Sequence, residues 1–295
     1  MNDEGIVVGI DGSDEGIVVG IDGSDEAEAA ALWAADEASL RGTGVRLLHA
    51  RQPWPDSVSR VTALETEDSW AEELLTSTAA GLRERRPGLS VSTRIATTGP
   101  VPALVEAAEA GALLVLGSRA LSGTAGYLVG SVGLAVAGVV ERPVVLVRAT
   151  GGVTPEGPVV VGVDARQPAD AVLAFAFEEA ARRGSALTAV YAQQLPFYAW
   201  GPAMVPDLRL SVQPQVERAL EDTLEPWCAK YPEVATTASV VIGSAGLELV
   251  RAAAGAGLLV VGRRTRRSAM GAHIGGVAHA VLHHSRAPVA LVPHT

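Results

Sequence analysis

The chain has one lysine, Lys230, and one cysteine, Cys228, in 295 residues. A P-loop needs a lysine after its glycines, and Lys230 stands in no such context, so that phosphate site is excluded. One thiol allows neither a disulfide framework nor a two-cysteine metal site. Cys228 lies beside Trp227 with no catalytic partner in view, and reads as a packed thiol rather than a nucleophile. Long apolar runs are also missing: none reaches the ~18 residues of a membrane span. No basic-headed leader is visible either, so the expectation is a cytoplasmic protein without a membrane partner. Positive charge is scarce, with 23 Lys and Arg against 33 Asp and Glu and a net charge of −10. That balance opposes nonspecific nucleic-acid binding. What is present is 48% hydrophobic and 19% charged residues, the composition of packed α/β domains rather than of disorder. The length suits two domains of ordinary size.

Residues 3–13 recur unchanged as residues 14–24. The second copy runs straight into the Glu26–Ala29 helical stretch, so it is the expected first strand, and residues 1–13 are expected to be a dispensable tail. Downstream, apolar runs alternate with helical patterns. Strands are expected at about 17–22, 45–50, 91–96, 113–116 and 143–147, with helices at about 25–41, 61–85 and 101–110. The order then repeats. Val159–Asp164 echoes Ile17–Asp22, Leu187–Tyr191 echoes strand two, Ser239–Ile242 strand three, Leu258–Gly262 strand four, and Val289–Val292 the closing strand. Asp164 follows Asp22 at nearly the same offset at which Gly262 follows Gly117. A near-constant offset marks duplicated domains. They are expected over residues 14–150 and 158–295, joined by a Gly/Pro-rich linker at 151–157. Strand–helix alternation implies right-handed crossovers and a parallel sheet with helices on both faces.

The stretch around which this organisation turns is Gly117–Val132. A buried strand leads into a long small-residue loop, and Gly130-Ser131 opens the next helix. Such a terminus offers free N–H groups and the positive end of the helix dipole, which suits phosphate; a plain surface loop is the alternative. Asp22 ends the first strand, where its carboxylate can accept from an adenine amino group or a ribose hydroxyl. It can equally serve the turn that opens the next helix.

The pattern Gly117-x2-Ala120-x9-Gly130-Ser131, together with Ile17–Ser24, resembles the universal stress protein family, whose nucleotide-binding members carry Gly-x2-Gly-x9-Gly-Ser/Thr after strand four. The resemblance extends over nearly the whole chain as two tandem domains. It implies five-stranded parallel sheets of order 3-2-1-4-5, ATP binding in some members, with or without Mg²⁺, and dimers paired through strand five. By resemblance Asp22 contacts adenosine, Ala50 lies near the base, and Gly117, Gly130, Ser131 and Val132 hold ribose and phosphates. Strand-five pairing is carried over to residues 144–147 and 289–292 within one chain, with a homodimer as a further form.

Two departures stand out. Ala120 replaces the second glycine of the pattern. The second domain reads Gly262-Arg263-Arg264-Thr265-x9-Gly275-Gly276-Val277, with Asp164 in the place of Asp22. There Thr265 is β-branched where glycine is expected, and Gly276 lacks a hydroxyl. Arg263, Arg264, Arg266 and Arg267 are either phosphate partners or a solvated loop of crowded arginines. His283-His284 do not share a helix face and read as helix-end residues rather than a metal site. The apolar segment Leu195–Pro202 is either a partner surface or a loop folded over its own domain. The function expected is adenine-nucleotide binding in a stress response, for sensing rather than metabolic turnover, with no catalytic residue assigned. A slow ATP hydrolase and a scaffold that binds no nucleotide are the alternatives.

Overall fold

The computed structural model describes residues 16–51, 60–118, 130–149, 157–167, 169–193, 205–265 and 274–295, without the side chains of 60–66 and 205–213. The tail 1–13, Ala120, Arg266, Arg267 and Leu195–Pro202 lie outside the described residues, as does all of the 151–157 linker except Gly157. The chain divides into two compact units, the first ending at Ala149 and the second running to Thr295.

In the first unit, β1 (Ile17–Gly20), β2 (Val45–Ala50), β3 (Val91–Ala96), β4 (Leu113–Gly117) and β5 (Val144–Val147) are all parallel. Their order is β3-β2-β1-β4-β5. Ile17, Val18 and Val19 of β1 and Leu113, Leu114 and Val115 of β4 are buried. A central parallel strand is covered on both faces, which is why these segments read as continuous apolar runs without alternation.

Helices α1 (Asp25–Arg41) and α2 (Arg60–Arg85) pack together on one face, α3 (Pro100–Glu109) and α4 (Ser131–Val139) on the other. Local signals set both ends of α1. Ser24 caps it, its hydroxyl accepting from the Ala27 N–H at 3.2 Å, and Asp25, Glu26 and Glu28 occupy the positive end of the dipole. Gly42, at φ 65°, ends it in the left-handed conformation that glycine adopts without penalty. Between the ends, Ala27, Ala30, Ala31, Ala34, Ala35 and Ala38 are buried, and their small side chains let the helix lie close on the sheet.

The second unit repeats the plan. Its strands are β6 (Val159–Gly162), β7 (Leu187–Gln193), β8 (Thr236–Ile242), β9 (Leu258–Arg264) and β10 (Val289–His294). They pair in parallel in the order β8-β7-β6-β9-β10. Here α5 (Asp170–Arg183) packs with α6 (Val205–Lys230), and α7 (Ala245–Ala252) with α8 (Gly276–His284). The repeat reaches into polar detail. Glu37 of α1 is buried against Arg41 at 2.5 Å, and Glu179, at the matching place on α5, is buried against Arg182 at 2.7 Å. Both units thus have the expected sheet order. Strands β9 and β10 run on past their apolar cores, because Pro293 and His294 keep register with Arg263 and Arg264. Cys228 is half-buried on α6, and the neighbouring Trp227 stacks on Phe177 with ring centroids 6.0 Å apart.

Candidate functional site

In each unit the sheet order reverses between the first and fourth strands, β1 and β4 or β6 and β9. Helices leave in opposite directions at that point, so a crevice opens beyond the carboxyl ends of the two strands. In the second unit the crevice is a cavity of about 700 Å³. Asp164, Gly262, Gly275, Gly276 and Val277 all line it. Five of the residues singled out in the second domain therefore meet around one space. Thr265 does not line it: its backbone N–H and hydroxyl both donate to the His294 carbonyl, at 2.7 and 3.0 Å.

The floor and walls follow from strand ends. Asp164 stands just past β6, and its Oδ1 accepts from the Arg166 N–H at 3.0 Å, which folds the chain back over the strand. Tyr191, Ala192 and Gln193 come from the end of β7. From β9, Arg264 reaches across and donates to Gln167 Oε1 at 2.6 Å, so a guanidinium links β9 to the loop after β6. Arg263, one position earlier, is buried and lines no part of the cavity. Strand alternation thus separates two arginines that look equivalent in sequence.

Helix α8 begins at the cavity. Its cap residue Gly275 has an ordinary backbone (φ −61°) and makes no side-chain capping bond. The first intrahelical bond runs from the His279 N–H to the Gly275 carbonyl, so the Gly276, Val277 and Ala278 N–H groups precede the ladder. A Cβ placed on Gly275 or Gly276 would meet nothing within 4 Å, so this terminus borders open space.

The first unit carries the same parts. Asp22 is exposed just past β1, and its Oδ1 accepts from the Ser24 N–H at 3.0 Å and from the Ser24 hydroxyl. The turn reading is the one these bonds show: Ser24 is the cap, and Asp22 holds the cap residue in place. Ala50 ends β2, half-buried. Gly130 caps α4 without a side-chain bond and borders open space, and Ser131 and Val132 occupy the first turn. Gly117 has a packing role as well: a Cβ there would lie 2.6 Å from the Glu26 carbonyl carbon and 2.8 Å from the Ala27 N. The end of β4 thus presses on the first turn of α1. Nearby, His49 is buried, 2.8 Å from the Ile21 carbonyl through Nδ1, and meets Trp70 edge-on with centroids 5.4 Å apart.

The sequence reading missed Ala192, Tyr191, Gln193, Gln167 and His294 as cavity residues. Ala192 was within reach, since it stands at the same offset from Ala50 as Asp164 does from Asp22. The others are brought in by strand register and loop path, which leave no local signal.

A tandem pair of five-stranded parallel α/β units, each with its acid and glycine-capped helix at the reversal, defines the class of protein. The universal stress protein family profile matches residues 15–148 and again 157–293, and the chain belongs to that family. Universal stress proteins of Mycobacterium tuberculosis and Mycobacterium bovis are 35% identical over 208 residues, 68% of this chain and 68% of theirs. A second universal stress protein of Mycobacterium tuberculosis is 32% identical over 214 residues, 71% of this chain and 70% of its own. The solved structure of a universal stress protein from Archaeoglobus fulgidus shares the fold, with a TM-score of 0.73 at 18% identity, over 96% of this chain and 99% of that one.

Proposed function

We infer that this protein binds adenine nucleotide, ATP with or without Mg²⁺, in the crevice of each unit, and that binding serves a stress response as a sensing event rather than as turnover. The observation that carries this reading is the cavity in the second unit, where an acid and a glycine-capped helix terminus face the same space. Its volume lies within the range of small-molecule and cofactor sites. The donor set fits a nucleotide. The open N–H groups at the start of α8 suit phosphate oxygens, and Arg264 adds a guanidinium. Asp164 suits a ribose hydroxyl or exocyclic amine, and Ala192 leaves room for a base. In the first unit Asp22, Ala50, Gly117, Gly130, Ser131 and Val132 take the corresponding roles.

Binding without turnover is supported by the lining. Among the described residues, Asp164 is the single carboxylate on the cavity wall, and its Oδ1 is engaged by the Arg166 N–H. To act as general base, Asp164 would have to be positioned on the reacting water rather than folded into a turn.

Calorimetric titration with ATP, ADP and AMP, followed by a product assay on the same samples, tests this. Binding with no product after hours supports the sensor. Catalytic turnover would establish the hydrolase instead, and no binding at millimolar nucleotide would leave the scaffold.

A further inference from the structure

Beyond nucleotide binding, we propose that His279 and His283 form a bidentate site for a late divalent transition ion, Cu²⁺, Ni²⁺ or Zn²⁺, on the flank of α8. The two residues are four apart on one helix, the spacing that places side chains over one another on a single face. Their rings are side by side, with centroids 4.3 Å apart and planes inclined at 39°. His279 is exposed and His283 half-buried, so the pair lies between solvent and the buried stripe of Ala278, Val281 and Leu282. That position holds one ring in place while leaving the other reachable from water. Imidazole nitrogen is the ligand that copper, nickel and zinc share.

Two rings on successive turns can direct one nitrogen each at a common ion with little movement of the backbone. Metal–nitrogen bonds of about 2.0–2.1 Å put the two donor nitrogens within the reach of side-by-side rings. The remaining coordination positions fall to water, because no group of three or more His, Cys, Asp or Glu side chains suited to a metal occurs among the described residues. His284 follows directly in sequence and is exposed, but it lies ~100° further round the helix and does not share the face. With imidazole donors the affinity order should be the general one, copper tightest. The site begins a turn beyond Gly275 and Gly276, so it is separate from the glycine-capped terminus of the same helix.

The test uses the full chain, stripped with EDTA and titrated with Cu²⁺, Ni²⁺ and Zn²⁺, with electron paramagnetic resonance of the copper form. The expected result is one ion per chain at the tightest site, copper bound more tightly than nickel or zinc, and a two-nitrogen copper spectrum. His279→Ala and His283→Ala should each weaken copper binding at least tenfold. His284→Ala should change it less than twofold. None of the three histidines is fully buried, so circular dichroism should show the variants folded. The proposal is overturned if the double variant His279→Ala/His283→Ala binds copper as tightly as the wild type, or if His284→Ala weakens it as much as His279→Ala does.

Discussion

The guanidinium of Arg264 donates to Gln167 Oε1 at 2.6 Å, across the mouth of the second crevice. Both side chains are exposed, so this bond holds its partners only weakly against water. A phosphate is a better acceptor than a neutral amide, because the bond to it is charge-assisted. Arg264→Gln should therefore weaken ATP binding in the second unit by about tenfold, a charge-assisted hydrogen bond being worth about 1.5–3 kcal/mol at most. Gln167→Ala should leave affinity equal or raise it two- to threefold, since it removes a competitor for the guanidinium. Titrating ATP into both variants in a Gly130→Asp background, which silences the first unit, gives the comparison. Equal losses in the two variants would mean that the Arg264–Gln167 link shapes the site rather than competing with the ligand.

The glycine caps yield opposite signs for stability and affinity. Gly130 and Gly275 have φ of −56° and −61°, accessible to any residue, and a Cβ on either meets nothing within 4 Å. Aspartate is a better helix cap than glycine by a few tenths of a kcal/mol, and its charge suits the dipole. Gly130→Asp and Gly275→Asp should thus keep or slightly raise the melting temperature. The same carboxylate repels phosphate, so each change should abolish nucleotide binding in its own unit. Differential scanning calorimetry and ATP titration on each variant read the two effects separately. A fall of several degrees would show that these glycines are needed for folding.

Gly117 is the contrasting case. A Cβ there would stand 2.6 Å from the Glu26 carbonyl carbon and 2.7 Å from its oxygen, both backbone atoms of the first turn of α1. Gly117→Ala must push that turn away from the sheet, at a cost typical of core overpacking, about 1–3 kcal/mol. Chemical denaturation should show that loss, while Gly130→Ala, with open space around it, should lose only the difference between a glycine and an alanine cap, about 0.5–1 kcal/mol. If Gly117→Ala keeps full stability and loses only nucleotide affinity, the glycine serves the ligand alone.

These glycines mark what was legible in the sequence. Strand positions and the duplication could be read because buried parallel strands write continuous apolar runs and the repeat states each one twice, whereas the strand order came from the family resemblance alone. Asp164, Gly262, Gly275 and Gly276 were legible for the same reason, as echoes of the first unit. Whether Gly117 serves a ligand or a helix contact was not, since both demand a missing Cβ. Nor was the difference between Arg263 and Arg264: one is buried and the other exposed only because β9 runs on past Gly262 in register with β10. Gln167 reaches the cavity through the path of a loop, which no periodicity encodes.

Two substitutions in the turn after β1 tell a structural role of the Asp22 carboxylate from a ligand-binding one. Asp22 Oδ1 accepts from the Ser24 N–H and hydroxyl, and the Ser24 hydroxyl accepts from the Ala27 N–H. Removing Ser24 and removing the charge on Asp22 should therefore give different phenotypes. Ser24→Ala deletes the cap of α1 and should cost about 0.5–2 kcal/mol of stability, with Asp22 still carrying its charge beside the crevice. Asp22→Asn keeps an oxygen in the place of Oδ1, so the turn and the melting temperature should be nearly unchanged. It loses the negative charge, and ATP affinity in the first unit should fall by about 1.5–3 kcal/mol, the scale of a hydrogen bond to a charged group. Denaturation curves and ATP titrations of both variants in a Gly275→Asp background form the measurement. If Asp22→Asn unfolds as easily as Ser24→Ala and binds ATP unchanged, the carboxylate belongs to the turn alone, and the first unit must recognise adenosine by other groups.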